Sequence, residues 1–226
     1  MTYTYAYRPL RPYMTYTLIL LNTFIHLMQY VIPIITALFT MIPAEILVGQ
    51  NLITLVTSTF LHADFFHLFI NMYFLFIFGT VVEGEMHPFS YLALYLVAGI
   101  FGSLGHVLIT ATLGTIFDPM GMFIPALGAS GAIFGVMAAY AYLLPRRPLG
   151  VYGDRGRTTA AWNIIIIYFF LELFQMFLSF GSGVAHGAHV FGFVGGFIFA
   201  LLYRFIRIQL NKRKPETQYD PYEYYV

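Results

Sequence analysis

The stretch Pro33–Leu61, PIITALFTMIPAEILVGQNLITLVTSTFL, decides the fold of this chain. It is apolar enough to form a membrane-crossing helix, yet Pro33, Pro43, Glu45, Gly49, Gln50 and Asn51 interrupt it. A spanning helix needs ~20 mostly apolar residues and must satisfy its backbone polar groups internally. Around this stretch six apolar runs meet the length requirement: Met14–Ile32, Phe65–Val82, Phe89–Thr110, Ala126–Leu144, Ala160–Phe177 and Val184–Ile206. The count of spans is six or seven according to how Pro33–Leu61 is read.

Charge placement chooses between them. The 226 residues are 59% hydrophobic and 9% charged, the composition of an integral membrane protein. The eleven Lys and Arg residues form three groups. Arg8 and Arg11 precede the first run, Arg146, Arg147, Arg155 and Arg157 follow the fourth, and Arg204, Arg207, Lys212, Arg213 and Lys214 end the sixth. With six spans all three groups share one side, which the positive-inside rule makes cytoplasmic. A seventh span would put Arg8 and Arg11 opposite the rest. Pro33–Leu61 is therefore expected to be a long first external loop, partly sunk in the membrane interface. The expectation is an all-α, multi-pass protein of the cell membrane with six transmembrane helices and cytoplasmic N- and C-termini. Its parts are a cytoplasmic segment 1–13, a helical domain 14–206 and a polar cytoplasmic tail 207–226. The first run lacks a cleavage signature and reads as a retained anchor.

Other classes fall away. Without cysteine there is no disulfide framework, thiolate metal site or cysteine nucleophile. The basic clusters sit at membrane edges, so no nucleic-acid partner is expected. The partners implied are the lipid bilayer and whatever the polar residues inside it engage.

Those polar residues share a depth. In a six-span topology, spans two, four and six run from outside to inside. His67 and Asn71 begin span two, Ser130 begins span four and His189 begins span six, each about one to two turns below the outer surface at ~1.5 Å per residue. The topology came from charge alone, so this coincidence is a separate observation. Gly131 and Gly135, and Gly192 and Gly196, form small-xxx-small pairs that let helices four and six approach closely. Taken singly, glycine pairs mean packing and a lone Ser back-bonds to its own helix. Intramembrane histidines are costly and tend to be functional. The joint occurrence carries the inference.

The chemistry this grouping suits is acyl transfer. Ser130 is the nucleophile and His189 its base. Asp64 reads as lying at the outer edge of span two and Glu172 nearer the middle of span five, so the expectation is a dyad without an orienting carboxylate. Phe134, at i+4 from Ser130, is placed to stack on the His189 ring. His67 and Asn71, also i and i+4, offer an imidazole N–H and an amide. With Gly128, Ala129 and the first N–H groups of span four, they make an oxyanion and substrate-binding site. His186 precedes His189 on the same face but lies shallower. His62 is assigned a structural hydrogen bond, His26 and His106 packing, and Glu83 and Glu85 loop capping.

Two other readings compete. One is a haem or metal site using His67, His186 and His189, against which stands the absence of HExxH, Cys and a carboxylate cluster. No metal or cofactor is expected. The other is a non-catalytic binder of transmembrane helices.

The chain resembles the rhomboid intramembrane serine proteases. Phe60-Leu61-His62 followed by His67-Leu68-Phe69-Ile70-Asn71-Met72 is similar to that family's second-helix H…HxxxN pattern. Gly128-Ala129-Ser130-Gly131 is similar to its GxSG motif and Ala188-His189-Val190-Phe191-Gly192 to its AHxxG motif. Order and spacing agree from Met14 to Ile206. The resemblance implies a Ser130–His189 dyad, an oxyanion site using His67 and Asn71, and transmembrane protein substrates cut near the outer face. It also implies entry past the second and fifth helices, with the loop Ser179–Gly183 as a cap. Many members carry a Trp-Arg pair in the first loop, which this loop lacks, and many have Tyr where Phe134 stands.

Overall fold

Proline, glycine and a few polar caps divide the apolar chain into helices. The computed structural model describes residues 12–145, 147, 161–178 and 184–211. Helix α1, Tyr13–Val31, starts after Pro12 and ends before Pro33. It buries Thr15, Leu18, Asn22, His26 and Gln29, a stripe at helical spacing, and exposes Leu20, Phe24 and Leu27. Polar groups inside and apolar groups outside is the arrangement lipid demands.

Pro33–Leu61 forms no single helix. It breaks into α2 (Ile34–Phe39), α3 (Pro43–Leu47), α4 (Thr54–Thr57) and a 3₁₀ turn at Ser58–Phe60. Gly49 and Asn51, at φ +76° and +49°, turn the chain between α3 and α4. With no Trp or Arg of its own, the segment is tied down by backbone groups. Met41 and Ala126 pair through reciprocal N–H···O bonds of 3.2 and 2.8 Å. Ser103 Oγ donates to the Leu55 carbonyl at 3.2 Å, and the Gly128 N–H donates to the Ser58 carbonyl at 2.9 Å. The Gln29 amide brackets His62, accepting from its N–H at 3.0 Å and donating to its carbonyl at 3.2 Å. Met41 and Ile46 bury their side chains against Val107.

The longer helices follow the expected runs. Helix α5, Phe65–Glu83, contains a π turn at Leu75–Gly79, and α6, Pro88–Phe117, another at Thr110–Gly114. Pro88 opens α6 at a position where its missing N–H costs nothing. Helix α7, Ser130–Leu143, is buried at every residue from Gly131 to Tyr140. Helix α8 spans Ala161–Leu178 and α9 His186–Asn211. Four of these, α5, α6, α8 and most of α9, are long and apolar enough to cross a membrane; α7 is apolar but shorter. The described residues form an all-helical integral membrane protein.

Three boundaries differ from expectation by more than two residues, the first being the end of α6, which runs to Phe117 rather than Thr110. Span four was expected from Ala126, but Gly128, at φ +131°, and the Met41–Ala126 pairing hold the chain out of helix until Ser130. Helix α9 continues past Ile206 to Asn211. The expectations for most of segment 1–13, for the Ser179–Gly183 cap and for the tail beyond Asn211 lie outside the described residues.

The molecule is centred on α7, packed between α6 and α9. A Cβ on Gly102 would approach Gly131 Cα to 3.3 Å and the Ala188 carbonyl to 2.8 Å, so α6 joins the glycine contact that the sequence assigned to two helices only. Glu83, which was expected to cap its own loop, instead caps α1. Its carboxylate accepts from the N–H groups of Met14 and Thr15 at 2.8 and 2.7 Å and from Thr15 Oγ1 at 2.7 Å. The first N–H groups of a helix have no intrahelical acceptor, and a carboxylate there also meets the positive end of the helix dipole.

Candidate active site

Three helix starts converge on one cavity. At α5, Asp64 is the N-cap and accepts the His67 N–H at 2.8 Å, which fixes the first turn. The Ala63 N–H donates to His67 Nδ1 at 3.4 Å, so the neutral ring carries its proton on Nε2. That nitrogen faces Gly128, where an added Cβ would lie 2.9 Å from it. One turn on, Asn71 donates one amide hydrogen to the His67 carbonyl at 2.8 Å and keeps a second to offer.

At α7, Ser130 is the first helical residue, in the turn whose N–H groups lack intrahelical acceptors. At α9, His189 sits one turn in. Gly131 lies against Gly192 and Gly135 against Gly196 so closely that a Cβ at either α9 glycine would fall on the α7 backbone. The contact brings Ser130 Oγ to 2.8 Å from His189 Nε2. The Phe134 ring stacks on the imidazole, with centroids 4.6 Å apart and planes 9° apart.

Sequence reasoning missed the group on the other side of that imidazole. Glu172 was placed nearer the middle of span five, leaving no carboxylate at this depth; the structure overturns that placement. Glu172 Oε2 lies 2.9 Å from His189 Nδ1 and 2.7 Å from His186 Nδ1. Helix α8 runs opposite to α9 and ends at Leu178, so Glu172 is only about 9 Å below its end at ~1.5 Å per residue. A long side chain covers the remainder. The signal was present: Glu172 is the sole acidic residue in that apolar run, and ionisable groups inside a membrane are rarely idle.

The cavity has a volume of about 570 Å³ and is walled by His67, Asn71, Ser130, Phe134, Glu172 and His189, with Asp64 and Asp118 also on its lining. His106, assigned to packing from the sequence, lies on this wall too. Gly128 and Ala129 do not: Ala129 has no exposed surface, and the Gly128 N–H is engaged by Ser58. The absent side chain of Gly128 makes room for the His67 ring.

His62 stands behind His67, ring centroids 5.2 Å apart, with His26 at 6.2 Å on its far side. It is 1% exposed, and its ring nitrogens find no hydrogen-bond partner among the described residues. Burial first, then the neighbouring His67 and His26, lowers its pKa to about 3.

The ligand-bearing atoms of Glu172, His186 and His189 lie within 4.8 Å of one another, a set that could hold a metal ion. His67, named in the alternative sequence reading, is outside that set among the described residues.

The arrangement can be compared with known proteins. The family model described as Rhomboid domain matches residues 49–205. The rhomboid protease GluP of Bacillus subtilis is 33% identical over 150 residues, covering 65% of this chain and 25% of that protein. The mitochondrial presenilin-associated rhomboid-like protein of Rattus norvegicus is 31% identical over 147 residues, covering 65% and 36%. The mitochondrial rhomboid protein 1 of Saccharomyces cerevisiae is 34% identical over 93 residues, covering 41% and 25%. The chain thus spans well under half the length of each of these three relatives.

Proposed function

The chain belongs to the rhomboid family, and we propose from that premise that it is an intramembrane serine endopeptidase. Its substrates are membrane proteins, cut at peptide bonds in or next to their transmembrane segments. The observation that carries this reading is the 2.8 Å approach of Ser130 Oγ to His189 Nε2 inside an apolar bundle. A serine hydroxyl is a weak nucleophile until a base stands within about 2.6–3.2 Å.

In this reading the Ser130 proton passes to His189 Nε2 as Oγ bonds to the scissile carbonyl carbon. The carbonyl π electrons become an oxyanion, met by the Nε2–H of His67, the free amide hydrogen of Asn71 and the N–H groups that open α7. Collapse breaks the C–N bond, and His189 returns its proton to the departing amine. Water repeats the cycle on the acyl-enzyme. Donors fixed in advance at the developing charge are worth about 10²–10³ in rate each. Gly128 and Ala129 shape the turn before Ser130, and Phe134 holds the plane of the base.

The six-span topology, with the 14–206 domain between cytoplasmic termini in a cell membrane, fits this reading. It brings the site within about two turns of the outer surface, where water can enter. That the named relatives include a rhomboid protease supports the activity. The test is cleavage of a model transmembrane substrate by purified protein in proteoliposomes, together with fluorophosphonate labelling and peptide mapping. Label on Ser130, lost in Ser130→Ala and His189→Ala proteins that no longer cleave, is the expected result. Equal cleavage by Ser130→Ala protein would overturn the reading.

A further inference from the structure

We propose that Glu172 is a positioning residue that completes a Ser130–His189–Glu172 relay and that His186 pins it in place. The proposal rests on the reading of Ser130 as nucleophile and His189 as base.

One oxygen, Oε2, lies at hydrogen-bond distance from two Nδ1 atoms, 2.7 Å from that of His186 and 2.9 Å from that of His189. An ionised carboxylate has only acceptors, so both Nδ1 atoms must carry protons. The ionised form satisfies the pair at once. A neutral histidine with its proton on Nδ1 has its lone pair on Nε2, and Nε2 of His189 is the atom facing Ser130 Oγ at 2.8 Å. Glu172 therefore selects the tautomer in which His189 can accept the serine proton. The opposite tautomer would point N–H at the hydroxyl and leave no base.

The same contact acts again when the proton has moved. His189 becomes an imidazolium, and the adjacent carboxylate balances that charge. Glu172 exchanges no proton; it lowers the cost of placing one on His189. Its position depends on His186, since a carboxylate on the scarcely buried helix α8, 17% buried along its span, would otherwise hold by one bond. A buried charge with two charge-assisted bonds is a defined geometry, and with one removed it is not.

Other charged or titratable groups line the cavity: Asp64 just before α5 and His67 within it, His106 within α6 and Asp118 just past its end, and Tyr168 from α8. Among the described residues none of them hydrogen-bonds the His189 ring, which Glu172 and Ser130 hold from its two sides.

The experiment compares Glu172→Gln, Glu172→Leu and His186→Asn with wild type, Ser130→Ala and His189→Ala in proteoliposomes, reading kcat and KM. Gln keeps the shape and an acceptor oxygen and removes only the charge. The expected result is a fall in kcat of about 10- to 100-fold for Glu172→Gln and ~10²–10⁴ for Glu172→Leu, with KM nearly unchanged. His186→Asn, which still donates, loses less than tenfold. Nitrogen-15 NMR of labelled wild type at pH 7.5 should find the His189 proton on Nδ1. Wild-type kcat in Glu172→Gln, in a preparation where Ser130→Ala is inactive, would overturn the proposal, as would an Nε2–H tautomer in the wild type. Full activity in Ser130→Ala would instead overturn the protease reading on which it rests.

Discussion

Gly196 of α9 lies against Gly135 of α7 so closely that a single methyl group on Gly196 would coincide with the Gly135 backbone. Backbone meeting backbone cannot be relieved by a rotamer change, so the helices must separate. Overpacking of this kind costs about 1–3 kcal/mol where side chains can shift, and more where they cannot. It would also carry His189 away from Ser130. Gly196→Ala is therefore expected to lower the thermal midpoint in detergent and to abolish fluorophosphonate labelling of Ser130. Gly114→Ala is the control, because its Cβ would meet only ordinary contacts of 3.4 Å or more. Equal labelling of the two variants would show that the glycine crossing does not hold the dyad together.

The flat stack of Phe134 on His189, centroids 4.6 Å apart, restricts rotation of the imidazole about its long axis. Tyr in its place keeps the ring. Phe134→Tyr should cleave within a few-fold of wild type, whereas Phe134→Ala should lose about 10- to 100-fold in kcat while KM changes little. Such a split marks loss of transition-state geometry rather than of substrate binding. A rise in KM alone for Phe134→Ala would assign the ring to substrate contact instead.

Asn71 spends one amide hydrogen on its own helix and holds the other in reserve. A donor waiting for a charge that develops only during reaction should contribute to kcat and not to substrate affinity. Asn71→Ala is expected to reduce kcat by about 10²–10³ and leave KM within a factor of three. The double variant with His67→Ala should fall by less than the product of the single losses, since both serve one oxyanion. Unchanged kcat in Asn71→Ala would remove it from the site.

The three nitrogens and oxygens of His186, His189 and Glu172 that lie within 4.8 Å of one another also suit Zn²⁺. A zinc ion would take the lone pair of each Nδ1, and the proton held there on His189 would move to Nε2. A neutral imidazole metallated at Nδ1 carries its remaining proton on Nε2, so His189 would present a donor to Ser130 and cease to be a base. Added zinc should inhibit cleavage, EDTA should restore it, and His186→Ala should raise the concentration for half-inhibition at least tenfold. Identical zinc sensitivity in that variant would show inhibition arising elsewhere.

Much of this architecture was legible in the sequence because lipid imposes simple rules. Apolar runs gave the helix positions to within a few residues, and the glycine pairs at 131/135 and 192/196 identified the α7–α9 crossing. What escaped was contact between elements remote in the chain. Gly102 on α6 joins the same crossing, a fact about three-dimensional packing that pair spacing on one helix does not encode. Glu172 was misplaced because counting residues along the helix ignores the reach of a glutamate side chain. Gly128 was read as space for substrate, whereas the ring of His67 fills that space, and its φ of +131° ends the preceding extended segment.

His62 makes stability depend on pH in a direction that can be worked out. Burial holds its pKa at about 3 in the folded protein, with the like-charged neighbours His67 and His26 adding to the effect. In the unfolded chain it titrates near the ordinary value of about 6.5. Between those values the unfolded state binds a proton that the folded state refuses, so acid favours unfolding. The contribution of neutral His62 is fully present above about pH 6.5 and is lost progressively as pH falls toward 3, by up to about 1.4 kcal/mol per pH unit. His62→Gln, which cannot titrate, should therefore show a flatter decline of thermal midpoint between pH 7 and pH 5 than wild type. The slope is compared rather than the absolute midpoint, because losing the ring against His26 and His67 will itself change packing. Parallel slopes for the two proteins would mean that the buried ring takes up its proton without unfolding, and that water reaches His62 in the folded state.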